Sequence, residues 1–202
     1  MKKKLLSSLL VVGTSLGALA PATILATDVI GNSSADITIN GSLGLDNTDP
    51  DEEIEEGDTN WINVTLDTAT IFYNLSGTTT IDSPTYNIEN KSGRPVKVSI
   101  KDFTQTDTSN ISVIDSLDFV SSIGGSAITK PLITSGDIED FTNPTELFTL
   151  ANSVGNLNAD GTSTGDQSTT FKYEGTVSGD NIARTNPAFT LTLQLDAVSF
   201  QP

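Results

Sequence analysis

The 202-residue sequence contains no cysteine and no histidine. Without cysteine there is no disulfide, no lipid-modified cysteine anchor and no thiol nucleophile. Without histidine the commonest general base and the commonest zinc ligand are both missing. Basic residues are scarce as well: ten Lys and Arg stand against 26 Asp and Glu, for a formal net charge of −16. A surface that acidic repels nucleic acid, whose binding relies on Lys and Arg neutralising phosphates, so nucleic acid is excluded as a partner. Catalysis has little to work with. A serine nucleophile would lack a histidine base. With 26 acidic residues some pair of carboxylates always lies close, so such a pair marks no site. The expectation is a protein that is not an enzyme and carries no cofactor.

The one long apolar run is at the start. MKKKLLSSLLVVGTSLGALAPATILA has three lysines, an apolar stretch from Leu5 to Leu19, and then small residues. That is the layout of a secretory signal peptide over residues 1–26. Ala20-Pro21-Ala22 and Ile24-Leu25-Ala26 are the candidate cleavage sites, the second preferred. The apolar part is shorter than the ~20 residues of a spanning helix and is broken by Gly13 and Gly17. No membrane span is expected after cleavage. The remaining chain holds seven basic residues against 26 acidic ones, a net charge of −19. It is expected to be secreted and to work outside the cell, at the surface or in a matrix. Residues 27–202 are long enough for one domain that buries about 70% of its unfolded surface.

That domain is expected to be all-β. Apolar residues alternate with polar ones in short runs rich in Thr, Val and Ile, which favour extended chain. The pattern covers Ile37, Ile39, Leu43 and Leu45; Ile62, Val64 and Leu66; Ile71 to Tyr73; Tyr86 and Ile88; Val96, Val98 and Ile100; Phe171 and Tyr173; and Phe189 through Ala197. Such strands point to an antiparallel β-sandwich, Ig-like or jelly-roll-like, with at most one short helix. Asn143-Pro144-Thr145-Glu146 could cap that helix, but the following Leu147-Phe148-Thr149-Leu150 reads as strand. Residues 152–168 are polar and Gly-rich and are expected to be a long, mobile loop.

Three clusters stand out. Residues 46–58 carry Asp46, Asp49, Asp51, Glu52, Glu53, Glu55, Glu56 and Asp58; so dense a block is expected to be a solvated, flexible loop. Lys91, Arg94, Lys97 and Lys101 hold four of the seven basic residues that remain. In VKVSIK the apolar residues point inward, so Lys97, Ser99 and Lys101 share an outer face. These lysines either guard against unwanted strand pairing or form a basic patch that docks the acidic segment, in the same molecule or the next. Asn90-Lys91-Ser92-Gly93 reads as a hairpin or a sheet-to-sheet turn. Finally, Asn156, Asn158 and Asp160, with Gly161 and Gln167, imitate a calcium loop. Asp160 is the sole carboxylate at its ligand positions, so any calcium binding is expected to be weak.

INGSLGLDN, SPTYNIENKSGRPVKVSI and the closing FTLTLQLDAV together resemble Gram-positive secreted β-sandwich surface proteins of the camelysin/TasA biofilm-fibre type. They are also similar to extracellular proteins associated with WxL-type surface proteins. The resemblance implies a two-sheet sandwich whose N-terminal strand, here Ile37, Ile39, Leu43 and Leu45, can be donated to a neighbour. It does not carry over a metal-dependent protease activity, since the chain has no His. Trp61-Ile62-Asn63 is not a W-x-L motif, and no sortase signal precedes Pro202, so release or noncovalent retention is expected. The expected function is structural: self-association, or docking on other cell-surface proteins, by β-strand addition. The alternative is a monomeric adhesin or ligand-binding module using its end loops.

Overall fold

The computed structural model describes residues 43–200. The expected signal peptide, its two candidate cleavage sites, Ile37 and Ile39 lie outside the described residues. What is described is almost entirely antiparallel β, with a single 3-10 turn at Thr59–Trp61. No described helix is long and apolar enough to cross a membrane.

Two sheets form the layers. The larger contains β1 (Val64–Leu66), β4 (Tyr86–Asn90), β10 (Ser168–Val177), β6 (Ile114–Ile123), β7 (Ser126–Thr134) and β8 (Asp137–Ile138), in that spatial order. It is completed by β2 (Tyr73–Asn74) and β3 (Thr80–Asp82), with β3 also pairing β10. The smaller has β5 (Val96–Gln105) at its centre, between β11 (Phe189–Ala197) and β9 (Thr145–Leu150). Segment 145–150 is therefore strand, as its apolar residues suggested. The connection Asn90–Pro95 carries the chain from one sheet to the other.

The alternation works because each sheet buries one face. Val96, Val98, Ile100 and Phe103 of β5 meet Ile88, Leu117, Phe119 and Phe171 of the larger sheet in one core. Phe119 stacks on Phe171 with ring centroids 5.1 Å apart, and Phe103 on Phe189 at 5.0 Å. Where the period of two breaks, a bulge repairs it. Leu193 pairs Ile100 while Thr192 pairs Asp102, so Lys101 is an extra residue on β5 and both Lys101 and Asp102 face outward. Leu147 on β9 and Leu132 on β7 are extra residues of the same kind. The pairs Leu147–Phe148 and Leu132–Ile133 consequently both point into the core.

Three expectations need correcting. Ser99 is buried, between its cross-strand neighbours Gln194 and Glu146, and does not share a solvated face with Lys97 and Lys101. Those two lysines guard no edge, because β5 is the central strand of its sheet. Residues 152–168 are a pinned loop. Asn152 is buried, its carboxamide oxygen accepts from the N–H groups of Val154 and Asn156, and Asn156 bridges to Thr164.

Gly175 lies where β10 runs closest to β6. A Cβ there would sit 2.0 Å from the backbone oxygen of Ser116. Gly175→Ala should therefore cost on the order of 3 kcal/mol, because backbone on the facing strand cannot step aside as a side chain could. Urea unfolding monitored by Trp61 fluorescence checks this.

Candidate functional site

The Asn90–Arg94 turn is a buried polar knot. The Asn90 amide donates to the backbone oxygens of Arg94 (2.9 Å) and Ala151 (2.8 Å), and its oxygen accepts from the N–H (3.0 Å) and hydroxyl (2.6 Å) of Ser92. Such a knot is tolerable inside a protein only if every partner is supplied. No buried side-chain polar atom among the described residues lacks one.

Arg94 extends from this knot and is itself buried. Its Nε lies 3.0 and 3.1 Å from the two carboxylate oxygens of Glu56, and Nη2 donates to Oε1 at 2.6 Å. Nη1 donates to the backbone oxygen of Pro50 at 2.7 Å. The guanidinium carbon lies 4.0 Å from the Trp61 ring centroid and 4.6 Å from that of Phe200. Glu56 in turn accepts the Phe200 N–H at 2.9 Å. One arginine thus gathers the acidic segment, the single tryptophan and the end of the described chain.

The segment 46–58 is accordingly ordered rather than free. Ile54, the only aliphatic residue within it, is buried. The Gly93 N–H donates to the Asn47 oxygen at 2.7 Å. A Cβ on Gly93 would sit 2.6 Å from the Asp49 oxygen and 2.8 Å from Trp61 Cζ3, so the segment seats only because that side chain is absent. Asp46 and Asp49 accept from backbone N–H groups two residues on, and the Asp58 side chain caps the 3-10 turn. Asp51, Glu53 and Glu55 stay exposed, and the Glu52 carboxylate accepts the Asp46 N–H.

The four basic residues do not form one patch. Lys91 pairs with Glu89 at 3.5 Å and Lys97 with Asp196 at 3.6 Å. Both pairs are solvent-exposed and so contribute little. Lys101 is exposed on its bulge. Of the four, Arg94 is the one in contact with the acidic segment, and that contact lies within the molecule. Nor does the Asn156–Asp160 loop gather ligands. Asn158 Oδ1 accepts the Ser163 N–H, and Asp160 accepts both the N–H and the hydroxyl of Thr162. The Asp160 carboxyl is held low by Thr162, first through the hydroxyl and then through the N–H. No three acidic side chains among the described residues are placed to hold a metal ion. Leu43 and Leu45 lie outside any strand, exposed on either side of Gly44 at φ 78°.

A second feature has no mark in the sequence. An apolar cleft of about 1090 Å³ opens between the sheets along β11. Leu191, Leu193 and Leu195 form one wall and Phe171, Tyr173 and Leu117 another. The strap 67–72 lines it as well, as does the segment 182–188. The strap's bonds go to the larger sheet: Asp67 N–H to the Asn87 oxygen, the Ile71 N–H and oxygen to the Tyr86 hydroxyl, and Thr70 to the Tyr173 hydroxyl.

The sheet edges differ in kind. Among the described residues β1 has three residues and β2 and β8 have two each; the unpaired half of β7 carries Lys130 and Pro131; and β9 carries the Leu147 bulge beside Glu146. Shortness, bulges, Pro and charge are the usual ways of blunting an edge. β11 has none of them on its cleft side. It runs nine residues without proline or an extra residue, and its one charged side chain, Asp196, points outward and pairs with Lys97. Comparison of the chain with protein-family models and with curated proteins finds no match.

Removing Arg94 leaves Glu56 partly buried without its cation and separates the Trp61 and Phe200 rings. Arg94→Ala should cost about 3–5 kcal/mol. Arg94→Lys should recover less than half, because an ammonium lacks the planar fork. Equilibrium urea unfolding of the two variants checks both. Burial pushes the Glu56 carboxyl up, but the Arg94 and Phe200 donors and the Arg94 charge together hold it below the ordinary 4.5. A depressed carboxyl stabilises fully above its unfolded value and loses that stabilisation as pH falls through the folded one. The stability gap between the native protein and Glu56→Gln should therefore narrow steadily from about pH 6 to about pH 3. Urea midpoints along that series measure it.

Proposed function

We propose that this chain is a non-enzymatic extracellular structural protein, secreted to the cell surface or matrix, which associates with itself or with other surface proteins by β-strand addition at β11. The observation that carries this reading is the β11 edge: nine residues long, unblunted, and bordering an apolar cleft. Across the cleft β11 faces Leu117, Phe171 and Tyr173 of the larger sheet, and no described strand pairs with its outer edge. An incoming strand would gain backbone hydrogen bonds from the edge and a place for alternate side chains in the cleft. The net charge works against contact at long range, so association should be governed by pH and salt. The Gram-positive biofilm-fibre resemblance agrees with this mode of assembly.

The test is light scattering and electron microscopy of the purified protein across pH, salt and calcium, with amide hydrogen exchange on β11. Association should rise as carboxylates are protonated or screened, and the outward amides of residues 189–197 should gain protection as it does. Leu193→Lys, which sets a cation on the cleft side of the edge, should abolish association while leaving the far-ultraviolet spectrum unchanged. A monomer under every condition overturns the reading. So does association that leaves β11 exchanging as fast as it does in the monomer.

A further inference from the structure

We infer that the cleft beside β11 binds a single-chain anionic amphiphile, a free long-chain carboxylate, with its head on Arg184 and its chain along Leu191, Leu193 and Leu195. This goes beyond strand addition and stands whether or not β11 takes up a strand. A cleft of about 1090 Å³ lies at the top of the ~300–1,000 Å³ range of sites that hold small molecules. Its floor, with Leu117, Phe171 and Tyr173, belongs to the core and is buried. Its rim does not. Ile71 is 62% and Tyr73 44% exposed, and Phe72, Phe189 and the three leucines of β11 are half-buried. Apolar side chains gathered at one opening mark a surface that takes an apolar partner.

The shape suits one extended chain. Two extended segments, 66–74 and 189–195, supply much of the lining. The stretch from Leu191 to Leu195 is on the order of 13 Å long at about 3.3 Å per residue. At the start of β11 the Phe72 and Phe189 rings lie 6.1 Å apart and join the two walls. The segment 182–188 leads into Phe189 and brings Arg184 to that end. A head group held there leaves the chain to run toward Leu195.

The head follows from charge. Several polar groups of the lining are spent inside the protein. The Thr70 and Tyr173 hydroxyls bond each other at 3.1 Å, the Asp67 carboxylate accepts the Asn87 N–H at 2.9 Å, and the Asn74 amide donates to the Thr78 and Thr80 oxygens. Arg184 is different. It is the one cation of the lining, it is exposed, and it takes part in none of the four ion pairs among the described residues. In a chain with 26 acidic residues this guanidinium is left open to a carboxylate from outside, which its planar fork can bind through two parallel hydrogen bonds. Arg184 supplies one positive charge and so matches a monoanion. A second negative charge on the ligand would meet Asp67 and the chain's own surplus of acid. A cationic head would be opposed by Arg184, and a neutral one would leave it unpaired.

The probe is dodecanoate, held below its micelle-forming concentration and titrated calorimetrically into the purified protein. One should bind per chain, and the methyl resonances of Ile71, Leu191 and Leu193 should shift as it does. Dodecanol and dodecyltrimethylammonium carry the same chain on a neutral and a cationic head, and each should bind at least roughly five-fold more weakly. Arg184→Gln, at an exposed position, should lower the dodecanoate affinity by about the same factor and leave dodecanol binding unchanged. A misfolded variant would lose both. The site is overturned if dodecanoate shows no saturable binding, or if the resonances that shift lie on another surface. Equal affinity for dodecanoate and dodecanol, or for dodecanoate in the native and Arg184→Gln proteins, overturns it as well.

Discussion

The guanidinium of Arg94 is the group on which the ends of this fold depend. It cannot lose its proton, and it is buried, so it must be paired. Glu56 supplies the charge, Pro50 a carbonyl, and Trp61 and Phe200 the two faces. Because Glu56 also accepts the Phe200 N–H, the segment that enters the sandwich and the segment that leaves it are tied to one carboxylate. The turn presenting Arg94 is fixed by the Asn90–Ser92 knot, and Gly93 leaves room for the acidic backbone to settle against it. In a chain without disulfides this polar closure does what a covalent staple does in many secreted domains.

That closure acts at one end of β11, since the Val198 N–H donates to the Pro95 oxygen and Phe200 follows directly. The strand is anchored by its full-length pairing with β5 and by the Arg94 latch, with no described strand on its other edge. Bulges fall on β5, β6, β7 and β9. Each bends its strand locally and puts two successive residues on one face. β11 is the long strand of the smaller sheet with no extra residue, so its alternation stays regular over nine positions. A regular free edge can accept another strand, whereas a bulged one resists it.

Much of this was legible in the sequence wherever the period of two survived. The strands at Tyr86, Val96, Phe171 and Phe189 are marked by alternation. β6 and β7 are not, because Asp115 and Leu132 are extra residues. Ile114 and Leu117 both face the core although they are three apart, and Leu132 and Ile133 face it together. The acidic block reads as solvated by charge count, yet Ile54 inside it was a sign that one side is buried. Arg94 reads as part of a lysine cluster, though its being the one arginine there, next to Pro95, set it apart. Its partner lies 38 positions away, a distance that no local spacing rule can span. The β11 cleft has no local sequence signature, because its lining is drawn from segments scattered between Leu66 and Leu195.

The same composition bears on both features. Part of the negative charge is met within the fold: Glu56 by Arg94, Asp46, Asp49 and Asp58 by nearby backbone N–H groups, Asp196 by Lys97. The cleft side of β11, meanwhile, carries no charge. Repulsion therefore acts between whole molecules and fades within a Debye length of about 8 Å at physiological salt, whereas strand addition at the edge, as proposed, would act at contact. Charge on the strand itself is one usual protection of an edge. Here the protection is delocalised over the surface, so it can be removed by screening without altering the edge. On the proposed reading, such a protein is kept apart at low ionic strength and brought together by salt, acid or divalent cations through the same nine residues.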